Sequence, residues 1–318
     1  MKSPVVKAGK ALICGSMAYD TITTFPGRFA QQILPDQVHI LNVSFLVPTL
    51  RREFGGCAGN IAYNLKLLGD PGYCMATVGH DFAPYAEWMD KQAVPRTYLR
   101  TIEAEHTGQA FITTDLDNNQ ITAFHPGAMG SSHENHIADA TGVALGIVAP
   151  DGRDGMIQHA SEFKEAGIPF IFDPGQGLPM FGGEDLRSFI DQATWVTVNE
   201  YEWSLMAERT GWSEAEIASR VAALIVTKGG EGSTIYADGR QIEIPPAPAR
   251  SVIDPTGCGD AYRAGIIHGL LHQLSWEVTG RVASLMGSLK IESRGTQNHS
   301  FSLAQFKQRY RTLFGSDL

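Results

Sequence analysis

The sequence predicts an α/β protein with a doubly wound, mostly parallel sheet and a separate small β-sheet lid. Three observations support this fold class. From residue 143 onward, short apolar runs alternate with helical patterns, which is typical of parallel strands joined by crossover helices. Residues 11–15 form an apolar run that indicates a buried first strand. Segments at about residues 20–50 and 97–125 are β-prone without helical periodicity, and they predict the lid.

Composition limits the class of protein. The chain has 318 residues, 43% of them hydrophobic, and its formal net charge is −9. These values predict a single large domain over residues 1–318. The acidic balance makes nucleic-acid or membrane-surface binding unexpected as the main activity. The four cysteines are widely spaced and the N-terminus lacks a signal-peptide pattern, so we expect reduced thiols and a cytoplasmic protein.

The N-terminal half combines sheet strands with the lid. Asp20 comes just after the first strand, at the edge where open α/β sheets bind ligands. The predicted elements of this half are a strand at 11–15, β-prone stretches at 21–25 and 38–43, a helix behind Gly56 that ends at Gly69, a strand at 73–78, a helix at 81–92, and a hairpin of 108–115 and 120–125 with its turn at 117–119.

The C-terminal half predicts the regular part of the sheet. Its predicted strands are 143–149, 169–173, 194–198 and 223–227, followed by a hairpin of 233–237 and 240–244. Its predicted helices are 154–166, 185–192, helical segments within 200–222, a helix behind residue 260, and helices at about 276–291 and 302–313.

Residues 254–260, with the sequence Asp-Pro-Thr-Gly-Cys-Gly-Asp, carry the strongest functional signal. Ile267, Leu270 and Leu271 follow at helical spacing, so this glycine loop lies at a helix N-terminus, where free N–H groups and the helix dipole attract anions. Asp260 falls in the first turn, where its carboxylate could accept a proton. Loop, dipole and base together indicate phosphoryl transfer; the alternative is an N-capping aspartate behind an ordinary glycine turn.

Polar, glycine-containing segments follow three predicted strands, at residues 173–176, 199–202 and 227–232. A second glycine loop, at residues 55–60, opens the helix in the N-terminal half. Because ligands of open α/β sheets bind at the carboxyl ends of the strands, we expect these segments to surround one site.

Several common site motifs are absent from the sequence. It has no phosphate-binding G-x-x-x-x-G-K-[ST], no G-x-G-x-x-G after the first strand and no G-x-S-x-G nucleophile turn. His268 and His272 are four residues apart on a predicted helix, a spacing that can bind zinc, but no third ligand is evident near them in the sequence. We interpret them as helix-face residues, and Cys258 as a small residue of its loop.

These features together resemble the ribokinase-like (PfkB) family of ATP-dependent carbohydrate and nucleoside kinases, over nearly the whole chain. The matching residues are Gly55, Gly56 and Asn60, the N-x-x-E of Asn199 and Glu202, Thr227-Lys228-Gly229, and residues 254–260. Residues 121–129 and 173–176 are similar to bacterial adenosine and broad-range nucleoside kinases of this family. The resemblance implies a ribokinase-like fold and an ATP- and Mg²⁺-dependent ribonucleoside 5′-kinase, with adenosine the first acceptor to expect and inosine or guanosine as others.

The resemblance also implies a role for each matched position. Asp260 is the general base, and the anion hole for the transferred phosphoryl group is formed by Gly257, Cys258 and Gly259. The ribose hydroxyls are held by Asp20, Gly55, Gly56 and Asn60, and the nucleobase is contacted by Phe124 and Gln176. Mg²⁺ is organised through water by Asn199 and Glu202, and the ATP site is bordered by Thr227, Gly229, Gly232 and, near the adenine, Ser284. Asp254 and Thr256 match positions that help to hold a monovalent cation such as K⁺.

Two other functions stay open at this point. One is a sugar kinase of the same family, of the ribokinase or fructokinase type. The other is a nucleoside-sensing module without catalysis, which the intact Asp260 and the Asn199/Glu202 pair make less attractive. The exposed sheet of the lid would also allow pairing with a second copy, so a homodimer through the lid is expected.

Overall fold

The computed structural model describes residues 3–33, 42–117 and 119–318. The strands are β1 Lys10–Cys14, β2 Ala18–Thr24, β3 Thr49–Gly55, β4 Gly72–Gly79, β5 Tyr98–Ile102, β6 Gly108–Thr114, β7 Gln120–His125, β8 Val143–Val148, β9 Phe170–Phe172, β10 Trp195–Asn199, β11 Ala223–Thr227, β12 Ser233–Ala237 and β13 Arg240–Ile244. The helices are α1 Cys57–Leu67, α2 Ala83–Lys91, α3 Arg153–Glu165, α4 Gly183–Gln192, α5 Glu200–Thr210, α6 Glu214–Arg220, α7 Cys258–Leu271, α8 Trp276–Ile291 and α9 Leu303–Phe314.

Within the described residues, the large sheet has nine strands in the order β13-β12-β11-β10-β9-β8-β1-β4-β5. All neighbours from β11 to β5 pair in parallel, whereas β12 and β13 close one side as an antiparallel hairpin. The inner strands are apolar without alternation because both faces of the sheet are covered. The predicted doubly wound α/β fold is therefore confirmed.

The carboxyl ends of the parallel strands bring the polar segments together. In the register of β10 and β11, Asn199 lies directly beside Thr227. β9 ends immediately before Asp173, on the next strand of the same sheet. The predicted polar strand ends thus share one edge of the large sheet, which is the edge that open α/β folds use for ligands.

The small sheet has the order β3-β2-β6-β7, with β2 parallel to β6 and the other pairs antiparallel. It confirms the predicted lid sheet, but its boundaries differ from those expected. The predicted segment 97–125 includes β5, which pairs with β4 in the large sheet instead. The strand β3 was not predicted, because its charged residues gave no apolar alternation. The β-prone stretch 38–43, except for its last two residues, and the turn residue Asn118 lie outside the described residues.

Side-chain caps begin several helices at the positions that the sequence favours. Asn199, Ser213 and Ser302 each accept a hydrogen bond from the backbone N–H three residues on, and each makes a capping box. In contrast, the N-cap residue of α7 is Gly257, which has no side chain to cap the helix and has a left-handed φ of 78°. This conformation favours glycine. None of the helices within the described ranges is both long enough and apolar enough to cross a membrane.

Candidate active site

Asp260 lies in the first turn of α7, and its carboxylate faces the N-terminal half of the chain. Asn60 of α1 donates from Nδ2 to Asp260 Oδ2 at 2.8 Å, across 200 residues of sequence. Burial raises the pKa of Asp260 to about 7, although the Asn60 hydrogen bond and the Arg263 charge oppose the shift. A carboxylate with a pKa near neutrality suits a general base at physiological pH.

A buried hydrogen-bond network holds Asn60 in place. Gln297 donates to Asn60 Oδ1 at 3.1 Å and accepts from Trp88 Nε1 at 3.0 Å. Tyr85 is within 2.5 Å of Gln297 Nε2, and its hydroxyl donates to the carbonyl of Gly55 at 2.9 Å. The second glycine loop and the carboxylate of Asp260 are therefore oriented by one set of buried side chains.

Arg263 is a site residue that the sequence analysis missed. Its Nε and Nη2 donate to the two carboxylate oxygens of Asp173 at 2.7 and 2.8 Å, and both side chains are buried. The Nη2 atom also lies 3.9 Å from Glu202. The available signal was its position three residues after Asp260, on the same helical face. A bidentate pair of this kind fixes α7 to the end of β9.

Asn199 and Glu202 form the capping box of α5. Glu202 accepts hydrogen bonds from the backbone N–H and from Nδ2 of Asn199 at 2.8 and 2.9 Å, and its own N–H donates to Asn199 Oδ1 at 2.8 Å. Burial and the Asp173 carboxylate raise the pKa of Glu202. Since these side chains already bind each other, they fit a role in holding Mg²⁺ through its water shell rather than as direct ligands.

The glycine loop of residues 254–260 turns tightly into the start of α7. The N–H of Cys258 donates to the Pro255 carbonyl at 3.1 Å, so in this conformation that predicted anion-hole donor is engaged within the loop. Burial raises the pKa of the Cys258 thiol to about 11, which agrees with its interpretation as an unreactive small residue. Gly259 lies in the first turn of α7, where N–H groups have no partner four residues back.

Asp20 lies on β2 and faces Gly55. A Cβ atom at Gly55 would come 2.6 Å from Asp20 Oδ2, and one at Gly56 would meet the Ser16 carbonyl at 2.5 Å. Gly56 also has a φ of 84°. Burial raises the pKa of Asp20 to about 6, with further contributions from the Glu53 and Asp254 carboxylates. The two glycines therefore leave room for this carboxylate and for a ligand beside it.

The register of the small sheet relates Asp20 to Phe124. Asp20 pairs with Ala110, and Ala110 pairs with Phe124. Residues directly opposite each other share a face of a sheet, so Asp20 and Phe124 lie on one face, two strands apart. Phe111 lies one residue further along β6 and occupies the other face. Phe124 is 51% exposed, which leaves its ring available to a ligand.

The remaining predicted positions lie around the C-terminal half. Thr227 ends β11, while Gly229 and Gly232 have positive φ values of 56° and 94° in the turn that follows. Ser284 on α8 accepts from the N–H of Ala247 at 2.8 Å and donates to the Pro245 carbonyl at 3.1 Å. Ser284 thus anchors the segment after β13. Gln176 is exposed in a short 3₁₀ turn behind β9.

Asp254 connects the glycine loop to the turn after α8. Its carboxylate accepts from the N–H of Thr256 and the N–H of Gly295, both at 2.9 Å. Its carbonyl oxygen accepts from Nζ of Lys290 at 2.7 Å. A K⁺ ion on this carbonyl would compete with that ammonium, so the residues present do not fit a monovalent cation there.

His268 and His272 do have a third potential ligand, contrary to the sequence interpretation. Asp70, in the turn after α1, lies 2.6 Å from His268 Nδ1 and 2.9 Å from His272 Nε2. The three donor groups lie within 4.8 Å of one another. Sequence spacing could not reveal this partner because Asp70 is about 200 residues away. The hydrogen bonds between Asp70 and the two histidines join the end of α1 to the end of α7, and this structural role explains the cluster.

The chain is similar to known kinases in sequence and in overall structure. The model of the pfkB family carbohydrate kinases matches residues 27–302. A nucleoside kinase of Methanocaldococcus jannaschii is 34% identical over 81% of this chain and 85% of its own. The structure of the Burkholderia thailandensis nucleoside kinase with inosine has a TM-score of 0.89 and 54% identity, covering 96% of this chain and 99% of that one. The same enzyme with ADP and inosine gives a TM-score of 0.87 and 56% identity, covering 96% and 97%.

Proposed function

The chain belongs to the pfkB family of carbohydrate kinases and is a phosphotransferase that acts on a hydroxyl group, and we propose that its acceptor is the 5′-hydroxyl of a purine ribonucleoside and its donor is ATP. Adenosine and inosine are the acceptors that we expect first. The observation that carries this proposal is the carboxylate of Asp260, which is held by Asn60 at the N-terminus of α7.

Asp260 is the base of the proposed reaction. As the 5′-oxygen attacks the γ-phosphorus of ATP, the proton of the hydroxyl passes to Asp260, the new P–O bond forms, and the bond to the leaving ADP breaks. Asn60 keeps the carboxylate oriented. Arg263 adds a positive charge next to it, which favours the ionised form before the reaction.

The glycine loop stabilises the charge that moves with the phosphoryl group. N–H groups at the start of α7, including those of Gly257 and Gly259, are suited to the equatorial oxygens of that group. Mg²⁺ would be held through water by Asn199 and Glu202, and it would neutralise charge on the phosphates. We assign the binding of ATP to residues of the neighbouring C-terminal segments, namely Thr227, Gly229, Gly232 and Ser284.

The small sheet supplies the acceptor side of the site. Asp20, Gly55, Gly56 and Asn60 are the residues that we assign to the ribose hydroxyls. Phe124 shares a face with Asp20 and is two strands away, a separation of about 10 Å. This separation suits a ribose at Asp20 and a base stacked on the ring. Gln176 is a further candidate for contact with the base.

The two sheets act as one catalytic unit in this proposal, with the small sheet as a lid over the nucleoside. The other face of the lid exposes apolar side chains that the nucleoside does not use, at Leu50, Phe111 and Ile121. A second copy of the chain is the occupant that we propose for this face, since such a pair would bury these exposed apolar side chains. Sedimentation or light scattering should then give a dimer, and a monomer at micromolar concentration would exclude this contact.

The acceptor panel is the decisive experiment. ADP formation from ATP and Mg²⁺ should be measured with adenosine, inosine, guanosine, ribose and fructose as acceptors. We expect turnover of adenosine and inosine, and a 5′-monophosphate as the product by phosphorus NMR. Turnover of ribose or fructose without any nucleoside would replace the proposal with a sugar kinase. Nucleoside binding in calorimetry without ADP release from any acceptor would indicate a sensing module.

A further inference from the structure

Lys290 is a buried cation beside the glycine loop. The residue has no solvent exposure, and its Nζ donates to the carbonyl oxygens of Asp254 at 2.7 Å and Ser293 at 3.2 Å. A buried ammonium is costly unless its protons find acceptors and its charge finds a partner. Two of its three protons have carbonyl acceptors here, and the charges of Cys258, Asp254 and Asp260 favour its protonated form.

The surroundings of this ammonium resemble the coordination shell of a monovalent ion. Backbone carbonyl oxygens come from two separate turns, one before α7 and one after α8. The Asp254 carboxylate bridges the same two turns through the N–H groups of Thr256 and Gly295. Carbonyl oxygens together with a nearby carboxylate are the donor set that proteins offer to hard cations.

The groups that face Lys290 are consistent with a permanent charge. Burial lowers the pKa of Lys290, while the Cys258, Asp254 and Asp260 groups oppose that shift. On the other side, burial and the Lys290 charge lower the pKa of His299 to about 4, so His299 is neutral and does not compete. The Asp254 pKa is lowered by its hydrogen bonds and by Lys290, against the effect of burial.

We propose that the ammonium of Lys290 is a built-in monovalent cation that holds the glycine loop against the turn after α8 and makes this site independent of K⁺. The carbonyl of Asp254 already accepts from Nζ, and an added K⁺ would face a like charge at hydrogen-bond range. Lys290 is therefore a positioning residue: it fixes the 254–257 segment from which α7, and with it Asp260, begins.

The first test compares cations with the wild-type protein. Thermal unfolding and ADP formation should be measured in buffers whose only monovalent cation is tetramethylammonium, with and without added KCl. We expect the melting temperature and the turnover rate to be the same in both. Reproducible activation by K⁺, or a K⁺-specific rise in melting temperature, would overturn the proposal.

The second test removes the ammonium in two ways. Lys290→Ala leaves space for an ion, whereas Lys290→Met fills the space with an apolar chain of similar length. We expect both variants to lose turnover, and only Lys290→Ala to regain melting temperature and turnover when K⁺ or ammonium is added. Lys307→Ala, on the exposed face of α9, is the matched control and should behave as the wild type.

The outcomes distinguish a failure of this inference from a failure of the proposed function. Only the turnover measurements rest on the proposed function, whereas the melting temperatures do not. Wild-type activity in Lys290→Met, or a folded Lys290→Ala that neither ion restores, would reject the inference. If Lys290→Ala fails to fold at all, the cation series on the wild type and the melting curve of Lys290→Met in KCl decide the matter. If no acceptor is phosphorylated, the proposed function fails while the melting temperatures still test Lys290.

Discussion

Asp260 illustrates how the environment of a single side chain changes its pKa. An exposed aspartate would be fully ionised at neutral pH and a weak base. At the start of α7, burial raises its pKa to about 7, while Asn60 and Arg263 limit the shift. Arg263 in turn is neutralised by the buried carboxylate of Asp173. The pKa of this carboxylate therefore depends on side chains from three separate parts of the chain, namely Asn60, Arg263 and Asp173.

Removing this carboxylate should slow catalysis strongly without unfolding the protein. Asp260→Asn keeps the shape of the side chain but cannot accept the proton, so we expect turnover to fall by about a hundredfold or more. The melting temperature should not decrease, because the amide removes a buried charge. Steady-state kinetics and thermal unfolding check both statements. Near wild-type turnover would exclude Asp260 as the base.

The raised pKa values predict the pH dependence of the reaction. Asp260 must be ionised to accept a proton, so kcat/KM for the nucleoside should increase with pH up to its pKa of about 7 and level off above it. Below the pKa of Asp20, about 6, loss of the second carboxylate should steepen the decline. In Asp20→Asn, the extra decrease in kcat/KM below a pH of about 6 should disappear, while the decrease below about 7 should remain. A flat profile between pH 5 and 8 would contradict both assignments.

At the scale of elements, the start of α5 combines stability with ligand placement. Asn199 ends β10, caps α5, and binds the side chain of Glu202 in the same turn. The pair lies beside Thr227 in the register of the sheet. In the function that we propose, this helix cap positions the two side chains that would hold Mg²⁺ through water.

Asn199→Ala should affect both properties together. Loss of the cap should lower the free energy of unfolding by about 1 kcal/mol, and the released Glu202 should raise the KM for Mg²⁺·ATP more than that for the nucleoside. Denaturant unfolding and kinetics with each substrate varied measure the two effects. Ser213→Ala, the equivalent cap of α6, is the control, and we expect it to lower stability alone. An equal change in both KM values would contradict the placement of Glu202 near the phosphates.

At the scale of the whole molecule, the most important feature for the candidate site is the position of the small sheet beside the large sheet. β1 and β2 are separated by only three residues, yet they belong to different sheets. The carboxyl edge of the large sheet and one face of the small sheet are thus adjacent at Asp20. The network from Gln297 to Gly55 joins the end of β3 in the small sheet to α2 and to the segment between α8 and α9.

Closure of the lid should be visible in hydrogen exchange. We expect adenosine or inosine to slow exchange in β6 and β7, because a nucleoside between the sheets would shield these strands from water. The outer hairpin of β12 and β13 lies at the far side of the large sheet and serves as the internal control. Unchanged exchange in β6 and β7 at saturating nucleoside would show that the small sheet is not a lid.

Local patterns in the sequence were sufficient for most elements and for the two glycine loops. Periodicity and glycine positions act over a few residues, so they predicted the alternating C-terminal half, the hairpins and the helix behind Asp260. Such patterns do not predict β3 and β5. The residues of β3 are largely charged and β5 is partly exposed, so neither strand shows a clear apolar alternation. The family resemblance then named the matched positions, without showing what they contact.

Only the tertiary structure decided the partners of the charged groups. Asn60 reaches Asp260, Arg263 binds Asp173, and Lys290 occupies the Asp254 carbonyl. The first two contacts join residues 200 and 90 positions apart. Side-chain pairing at such separations depends on how the strands and helices pack, which no local pattern encodes. The sequence by itself therefore determined where the candidate base Asp260 and the glycine loop lie along the chain, and the fold determined the pKa of that carboxylate and which cation lies beside the loop.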